Sequence, residues 1–418
     1  TCKFDPSGLA ALILTFGRFC PGTATLSDGT IMITGGADST TTTIYDWRDD
    51  SWNVGPKMKL ARGYHAMTVL SDGSVFTIGG SWHGGIGGKN GEIWHPSTNA
   101  WRLLSGVPVA PLLTADTGGV YRSDNHCWLF TAPNGYIFHA GPSKQMNWID
   151  VTGNGSVTPS VMRESTDRMN GNALMIDIGV VFVVGGAPNY DSGDGTKKAY
   201  LIDINDGLDA VVRQVGDMEY PRTLSNSVVL PSGKVAVFGG QTTTLLFSDE
   251  HAVMAAEIFD LTTETFTTMA PMKIPRTYHS TAILMRDGRV MTAGGGLCGG
   301  CAANHNDFEI FVPPYLIDSN GDLALRPVIL SATQACSPGD LITVTVDSSE
   351  DHDFELLRVS AATHAVNNDQ RRIPLTVSSV NGANFELQVP SNPNVALTGV
   401  YYLFALNGNG VPSVAVDL

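Results

Sequence analysis

A pair of adjacent glycines recurs along most of this chain, and a turn glycine stands six residues before each pair. Complete copies of the repeat have pairs that begin at Gly35, Gly79, Gly185, Gly239 and Gly294. A weaker copy has Ala140 and Gly141 in place of the pair. The residues between the turn glycine and the pair are β-branched or apolar, which is typical of buried strands. Because tight hairpins need the positive φ that glycine adopts readily, the repeat predicts a series of β-hairpins.

Aromatic residues follow three of the pairs and are themselves separated by seven residues. They are Tyr45 and Trp52, Trp94 and Trp101, and Phe259 and Phe266. They indicate a second, outer hairpin, and the pairs begin 44 to 61 residues apart, near the length of a kelch repeat. The segment 4–8 resembles an outer hairpin, although no glycine pair precedes it. We therefore predict an all-β fold with a seven-bladed kelch-type β-propeller whose first blade is incomplete.

The repeat stops after about residue 316, and short alternating strands with frequent turn signals follow from Arg326. This pattern is typical of a β-sandwich. The segment 318–321 reads Asp-Ser-Asn-Gly and is the predicted linker. We therefore predict two domains, the propeller at residues 1–320 and an immunoglobulin-like β-sandwich at residues 321–418.

The composition limits the partners of the chain. Its 418 residues carry a net charge of −15, which repels nucleic acid and anionic membranes. Hydrophobic residues make up 43% of the chain, too many for a disordered protein, yet no apolar run reaches the roughly 18 to 20 residues that would span a bilayer. The acidity, the scarcity of lysine and one glycosylation sequon at residues 154–156 favour a secreted, extracellular protein. We expect neither nucleic acid nor a membrane as a partner.

The repeat also predicts which side chains meet at the propeller axis, because the inner strand of each blade lines that axis. Counting back 15 residues from the start of each pair selects Cys20, Tyr64, Asn125, Asn170, Leu224 and His279. Tyr278 directly precedes the last of these. A thiol, two phenols and an imidazole are thus expected at one mouth of the propeller. Ordinary packing of the channel is the alternative explanation for the same residues.

Several longer motifs resemble the galactose oxidase family of fungal copper-radical alcohol oxidases. They are Phe19-Cys20-Pro21-Gly22, Tyr278-His279-Ser280 and the segments 61–64, 79–82, 121–126, 294–301 and 363–375. The likeness covers nearly the whole chain. It includes the sandwich, whose counterpart in the family sends a loop into the propeller channel.

The resemblance implies one copper ion with four protein ligands, namely Tyr64, Tyr278, His279 and His364. Two imidazoles and two phenolic oxygens suit a tetragonal Cu(II), which leaves one position for water or substrate. Tyr278 and His279 are adjacent, so both can bind one metal only where their strand bends. The alternative for His364 is a sandwich histidine bonded to a backbone carbonyl.

The resemblance further implies a thioether between Cys20 and Tyr64, which makes the phenol easier to oxidise to a persistent tyrosyl radical. Trp82 would stack over this bridge and shield the radical, its alternative role being that of an ordinary rim aromatic. The implied reaction oxidises a primary alcohol to the aldehyde and reduces O2 to hydrogen peroxide. Tyr278 would accept the hydroxyl proton.

Three residues favour a galactose-like substrate by the same resemblance: Arg122, Phe247 and Trp82. Asp191 stands where the family has glutamine, so a carboxylate that only accepts hydrogen bonds replaces an amide. The substrate is therefore expected to be galactose, a galactoside such as raffinose, glycerol, or an aryl or simple alcohol. The expected partners are this small molecule and O2, with the protein acting as a monomer.

The cysteines of the segment 294–301 resemble a small disulfide loop of the family, formed by Cys298 and Cys301. With His305 they could instead imitate a zinc knuckle, but a fourth ligand at suitable spacing is not evident. Cys2, Cys127 and Cys336 are left over, and they are either buried free thiols or paired among themselves.

Two other functions compete with this interpretation. One is a kelch module without catalytic activity that binds a protein or glycan. The other is a related copper-radical oxidase of small aldehydes such as glyoxal. The convergence of cysteine, tyrosine and histidine argues against the first, and Trp82, Arg122 and the sandwich argue against the second.

Overall fold

The structure, a computed structural model, describes residues 20–418 except residues 38, 83–84, 119–121 and 297–298. Its regular elements are thirty β-strands and two short 3₁₀ turns at Ala110–Leu112 and Pro314–Leu316. No helix in the described part of the chain is both long and apolar enough to cross a membrane.

Six sheets follow one another along the chain, and each is an antiparallel meander in sequence order. The first two contain β1 (Gly22–Thr25), β2 (Ile31–Thr34), β3 (Thr42–Asp46) and β4 (Ser51–Val54), then β5 (Ala66–Val69), β6 (Val75–Ile78), β7 (Glu92–His95) and β8 (Ala100–Leu103). The next two contain β9 (Trp128–Thr131), β10 (Ile137–Gly141), β11 (Gln145–Asp150) and β12 (Ser156–Met162), then β13 (Asn172–Asp177), β14 (Val180–Val184), β15 (Ala199–Asp206) and β16 (Asp209–Gln214). The last two contain β17 (Thr223–Val229), β18 (Val235–Gln241), β19 (Ala255–Asp260) and β20 (Thr265–Pro271), then β21 (Ser280–Leu284), β22 (Val290–Gly294) and β23 (Phe308–Phe311).

These sheets are the blades of a propeller, because the first strand of each sheet contacts the first strand of the next. The described residues form six blades, so the prediction of seven is wrong for this part of the chain. The seventh, incomplete blade was predicted on the segment 4–8, which lies outside the described residues. The predicted turn glycines and glycine pairs lie at the hairpins and strand ends of the six blades.

The glycine pairs join neighbouring blades. Gly35 and Gly36 have φ values of 63° and 86°, and the Gly36 N–H donates to the Arg62 carbonyl of the next blade at 2.8 Å. A Cβ on Gly35 would lie 2.5 Å from the same carbonyl oxygen. In the fourth blade a Cβ on Gly185 would lie 2.7 Å from the carbonyl oxygen of Arg222. Only glycine therefore fits these positions, which explains why the pair recurs.

The arginines at these joints take part in buried ion pairs. Arg62 pairs with Glu92 at 2.9 Å, Arg222 pairs with Glu257 at 2.8 Å, and all four side chains are fully shielded from solvent. The Arg62 guanidinium also donates to the Gly79 carbonyl at 2.8 Å. Each pair thus ties the inner edge of one blade to its own glycine pair and third strand. These pairs were not predicted from the sequence.

A seven-stranded sheet follows the propeller in the order β24-β25-β28-β27-β26-β29-β30. The strands are β24 (Ile329–Ala332), β25 (Leu341–Val346), β26 (His352–Arg358), β27 (Arg372–Asn381), β28 (Asn384–Gln388), β29 (Tyr401–Asn407) and β30 (Val416–Asp417). The first half of β27 pairs with β26 and its second half with β28. The two halves of the sheet share one core that includes Phe354, Phe385 and Leu403, as in a sandwich. The predicted boundary at residue 320 falls between β23 and β24 and stays a prediction.

The connection between β26 and β27 anchors the sandwich in the propeller channel. Asn368 bonds to backbone groups of β5 and β9, and Gln370 bonds to both backbone groups of the last residue of β17. Asp369 accepts a hydrogen bond from the backbone of β1 at 2.7 Å. Because one short segment is bonded to four inner strands, the tip of this loop is held at the propeller axis.

Candidate metal centre

The counted ring positions lie together at one mouth of the channel and share an unusual backbone. Cys20, Tyr64, Asn170, Leu224 and His279 all have φ between 57° and 68°, and each lies within two residues of the start of the inner strand of its blade. Their backbones are connected from blade to blade: the Tyr64 N–H donates to the Cys20 carbonyl at 2.9 Å, and the Leu224 N–H to the Asn170 carbonyl at 2.8 Å. This left-handed bend turns each side chain toward the axis.

In the third blade the ring position belongs to His126, and the count that selected Asn125 is wrong by one residue. His126 has a φ of 54°, and its N–H donates to the Tyr64 carbonyl at 2.9 Å. The reason is the starting point of the count: Gly141, and not Ala140, stands six residues after its turn glycine, Gly135, as in the complete copies, and counting back 15 residues from Gly141 gives His126. The spacing from the turn glycine was therefore a sequence signal that could have identified His126.

The same bend brings two neighbouring side chains to one centre. Tyr278 and His279 directly precede β21, and their rings stack with centroids 3.8 Å apart. On a regular strand adjacent side chains point to opposite faces. The positive φ of His279 removes this alternation and allows both residues to face the axis.

Two imidazoles and a thiol form the centre of the cluster. The Cys20 Sγ lies 3.1 Å from the His364 Nε2 and 3.9 Å from the His279 Nε2. The other ring nitrogens bond away from the cluster: His279 Nδ1 to the Gly296 carbonyl at 2.6 Å, and His364 Nδ1 to the Thr363 hydroxyl at 2.8 Å. Such outer bonds fix the rotation of an imidazole and leave its Nε2 for a metal. The three residues are a group with the spacing of metal ligands.

Two phenolic oxygens complete the set. The Tyr64 and Tyr278 oxygens lie 2.8 Å apart, and the Tyr64 ring lies 5.0 Å from the His364 ring. Burial raises the pKa of both phenols and lowers the pKa of His364 and His279. The imidazoles are therefore neutral, which is the form that binds a metal. Two nitrogens and two phenolic oxygens that face one another are a donor set that fits copper.

Cys20 and Trp82 both contact Tyr64. The Cys20 thiol interacts with the side chain of Tyr64, and burial raises the pKa of the thiol to about 12. Cys20 is a free thiol in this structure, so the thioether stays a prediction. The ring of Trp82 covers Tyr64, with centroids 4.5 Å apart and an interplanar angle of 32°.

The residues predicted to bind substrate border this cluster. The Arg122 guanidinium lies over Trp82 and Tyr190, 5.5 and 5.6 Å from their ring centroids. Its terminal nitrogen lies 3.9 Å from an Asp191 carboxylate oxygen. On another side, the ring of Phe247 is 38% exposed and packs edge-on against Tyr278, with centroids 5.1 Å apart. Their roles in binding stay predictions.

Two residues of the cluster had no assigned role. Tyr190 is fully buried, and its hydroxyl oxygen lies 3.1 Å from the Tyr278 oxygen and 3.1 Å from the His126 Nε2. Burial lowers the pKa of His126 to about 3, so this imidazole is neutral. The sequence signal for Tyr190 was that it directly precedes Asp191 in a motif already singled out.

The remaining cysteine predictions concern other parts of the chain. Cys298 lies outside the described residues, so its disulfide with Cys301 stays a prediction. His305 bonds to an Asp249 carboxylate oxygen at 2.9 Å, which gives this histidine a partner other than zinc. Cys127 and Cys336 are free thiols, and Cys2 lies outside the described residues.

Family profiles match two parts of the chain. Residues 326–417 match the profile described as galactose oxidase-like, Early set domain, and residues 168–310 match the profile described as Glyoxal oxidase N-terminus. A galactose oxidase of Gibberella zeae is 44% identical over 430 residues, covering 99% of this chain and 63% of that protein. An aldehyde oxidase of Vitis pseudoreticulata is 25% identical, covering 86% of this chain and 72% of that protein.

A solved structure extends the match to the whole fold. It is described as a novel fungal alcohol oxidase with catalytic diversity among the AA5 family, in complex with copper. The TM-score is 0.92 and the identity 40%, covering 96% of this chain and 85% of the relative. The chain spans 63% of the length of the Gibberella zeae enzyme. Since sequence and fold agree over most of both chains, this chain belongs to the galactose oxidase family.

Proposed function

We propose that the protein is a copper-radical alcohol oxidase. It converts a primary alcohol to the aldehyde, and the two electrons and two protons removed reduce O2 to hydrogen peroxide. The observation that supports this most is the 2.8 Å separation of the Tyr64 and Tyr278 oxygens beside two neutral imidazoles and a thiol. A module that only binds a partner has no need for this set of groups.

Copper would be held by Tyr64, Tyr278, His279 and His364. Bound copper supplies a Lewis acid for the alcohol oxygen and a site for one electron. The second electron of the alcohol has to be accepted by the protein, since a two-electron oxidation exceeds what one copper ion accepts between its common states. Tyr64 is the candidate because Cys20 lies beside it and Trp82 covers it.

The cysteine prepares Tyr64 for this role. A bond between the sulfur and the phenol ring forms with loss of the S–H and one ring C–H hydrogen, and O2 takes up the two electrons. The sulfur substituent lowers the potential at which the phenol is oxidised. O2 also takes one electron from the bridged phenol, and the Tyr64 radical formed in this way would remove a hydrogen atom from the carbinol carbon. Trp82 would keep water away from the radical.

Tyr278 would accept the hydroxyl proton of the alcohol. A general base has to reach the proton that it abstracts, and Tyr278 lies between the Tyr64 oxygen and the ring of Phe247. The stacked ring of His279 limits rotation of the phenol. One substrate molecule would therefore give its hydroxyl proton to Tyr278 and the hydrogen atom of its carbinol carbon to Tyr64.

Galactose and galactosides are the proposed substrates. The buried Nε of Arg122 has no hydrogen-bond partner among the described residues, so it is available to donate to a sugar hydroxyl. Asp191 offers acceptors to a second hydroxyl, and Phe247 offers an apolar surface. An aryl alcohol is the alternative, since Trp82 and Phe247 could enclose an aromatic ring. We also propose that the protein is a secreted monomer with a domain boundary at residue 320.

A peroxide-release assay after copper loading tests the function. The substrates are galactose, raffinose, glycerol, benzyl alcohol and methylglyoxal, and Tyr64→Phe is the matched variant. We expect peroxide with galactose or raffinose and none with the variant. Peroxide with methylglyoxal alone would favour an aldehyde oxidase, like the relative from Vitis pseudoreticulata. No peroxide and no retained copper would favour a binding module.

A further inference from the structure

Tyr190 contacts both a proposed copper ligand, Tyr278, and two residues proposed to bind substrate, Trp82 and Arg122. Its ring is 5.3 Å from the ring of Trp82 and lies edge-on to Tyr278 at 6.2 Å. The side chain is fully buried. A phenylalanine would fill the same space, so the hydroxyl needs an explanation of its own.

Both hydrogen-bond partners of this hydroxyl belong to the site. One is the Tyr278 oxygen and the other the His126 Nε2, each at 3.1 Å. His126 is fixed in turn by stacking on His364, with ring centroids 5.0 Å apart and planes inclined by 19°. The hydroxyl therefore connects one proposed ligand, Tyr278, with a ring that packs on another, His364.

The backbone of Tyr190 is fixed from outside the site. Its N–H donates to an Asp116 carboxylate oxygen at 2.7 Å, and its carbonyl accepts a bond from the Asn170 side chain at 2.8 Å. Asp116 is itself buried, and Asn170 occupies the ring position of the fourth blade. These two bonds restrict the movement of Tyr190, so its hydroxyl can hold Tyr278 in turn.

The direction of the hydrogen bonds follows from what each group can donate. A Tyr278 oxygen bound to copper accepts hydrogen bonds and does not donate them. The Tyr190 hydroxyl then donates its single proton to Tyr278, and its oxygen accepts from the N–H of His126. A neutral imidazole has one N–H, so the bonds run one way, from His126 through Tyr190 to Tyr278.

We propose that Tyr190 is a positioning residue for Tyr278 and that His126 acts through it. The inference rests on the proposed oxidase function. The Tyr190 hydroxyl fixes the phenol of Tyr278 at one angle, in which its oxygen serves both the metal and the substrate proton. Removing an outer hydrogen bond of this kind typically costs about 10–100-fold in metal affinity or activity.

The test compares Tyr190→Phe with Tyr401→Phe. Tyr401 is a buried tyrosine of the sandwich whose hydroxyl donates to the Leu397 carbonyl at 2.9 Å, so its variant removes the same group away from the site. Each copper-loaded protein is assayed for kcat and KM with galactose and for the visible absorption band of tyrosinate bound to Cu(II). We expect Tyr190→Phe to lower kcat about 10–100-fold, to change KM less than about threefold and to shift the band. Tyr401→Phe should behave like the parent.

A double-mutant cycle with His126→Gln tests the role of His126. If His126 acts through Tyr190, the effect of both changes on the band and on kcat is no larger than that of Tyr190→Phe alone. Fully additive effects of the two changes would overturn the claim that His126 acts through Tyr190. Parent-like kcat and absorption in Tyr190→Phe would overturn the role of Tyr190. A parent protein that binds copper but releases no peroxide would overturn the oxidase function, and the absorption spectra would still decide whether Tyr190 positions Tyr278.

Discussion

The Cys20 sulfur lies 3.1 Å from the Nε2 of His364, although 344 residues separate them. One residue belongs to the first described blade and the other to the loop that the sandwich sends into the channel. The candidate centre therefore exists only when propeller and sandwich are assembled. Changes in either part are expected to affect copper binding.

Replacing His364 with alanine should abolish tight copper binding. It removes one of four ligands, and because loss of an outer-shell partner alone costs about 10–100-fold, we expect affinity to fall at least 100-fold. Competition with a chelator measures this. The control is His352→Ala, another histidine of the sandwich, whose Nδ1 bonds to the Leu406 carbonyl at 3.3 Å. Equal affinities of the two variants would exclude His364 as a ligand.

Copper loading in air should convert the Cys20 thiol to a thioether. Thiol labelling of the denatured protein should then find one reactive cysteine fewer than before loading. Cys20→Ser should remove this difference, whereas Cys127→Ser, which changes another buried free thiol, should keep it. An unchanged number of labelled thiols in the parent would contradict the thioether.

Gly35→Ala should destabilise the protein more than the backbone strain alone explains. A non-glycine residue at positive φ costs about 1–2 kcal/mol, and the new Cβ would also lie 2.5 Å from the Arg62 carbonyl oxygen. The control is Gly153→Ala, at a φ of 55° with no atom within 4 Å of the new Cβ. Urea unfolding should give a loss about 1–3 kcal/mol larger for Gly35→Ala. Equal losses would mean that the contact between blades tolerates a methyl group.

The free energy of unfolding of the sandwich should fall as the pH rises, because the buried carboxyl group of Glu355 ionises. Burial is the main cause that raises its pKa from 4.5 to about 7, although Arg372 opposes this. The folded protein therefore favours the protonated acid. The stabilisation is complete below about pH 4.5 and is lost as the pH rises through about 7.

Glu355→Gln measures this effect, because glutamine cannot titrate. Between pH 5 and 8 the melting temperature of the variant should rise relative to that of the parent. Glu386→Gln, which changes an exposed glutamate of the same sheet, is the control and should show no such trend. A constant difference between Glu355→Gln and the parent would contradict the raised pKa.

The repeat spacing predicted most, but not all, of the residues that form the site. Five ring positions could be counted because each blade repeats the same inner hairpin. The count missed His126 because it began at Ala140, although Gly141 has the six-residue spacing from its turn glycine that the complete copies share. Tyr190 could not be found by counting at all, because it lies in a loop after a glycine pair, where spacing varies from blade to blade.

The sequence by itself determined the blades, the sandwich and the residue types that line the axis, because strand patterning and the need for glycine at positive φ are local properties. The number of blades in the described part, the pairs of Arg62 with Glu92 and Arg222 with Glu257, and the bonds of Tyr190 were decided only by the tertiary structure. These contacts join residues that are distant along the chain. Their partners depend on register, bulges and loop paths, which are settled when the blades pack around a common axis.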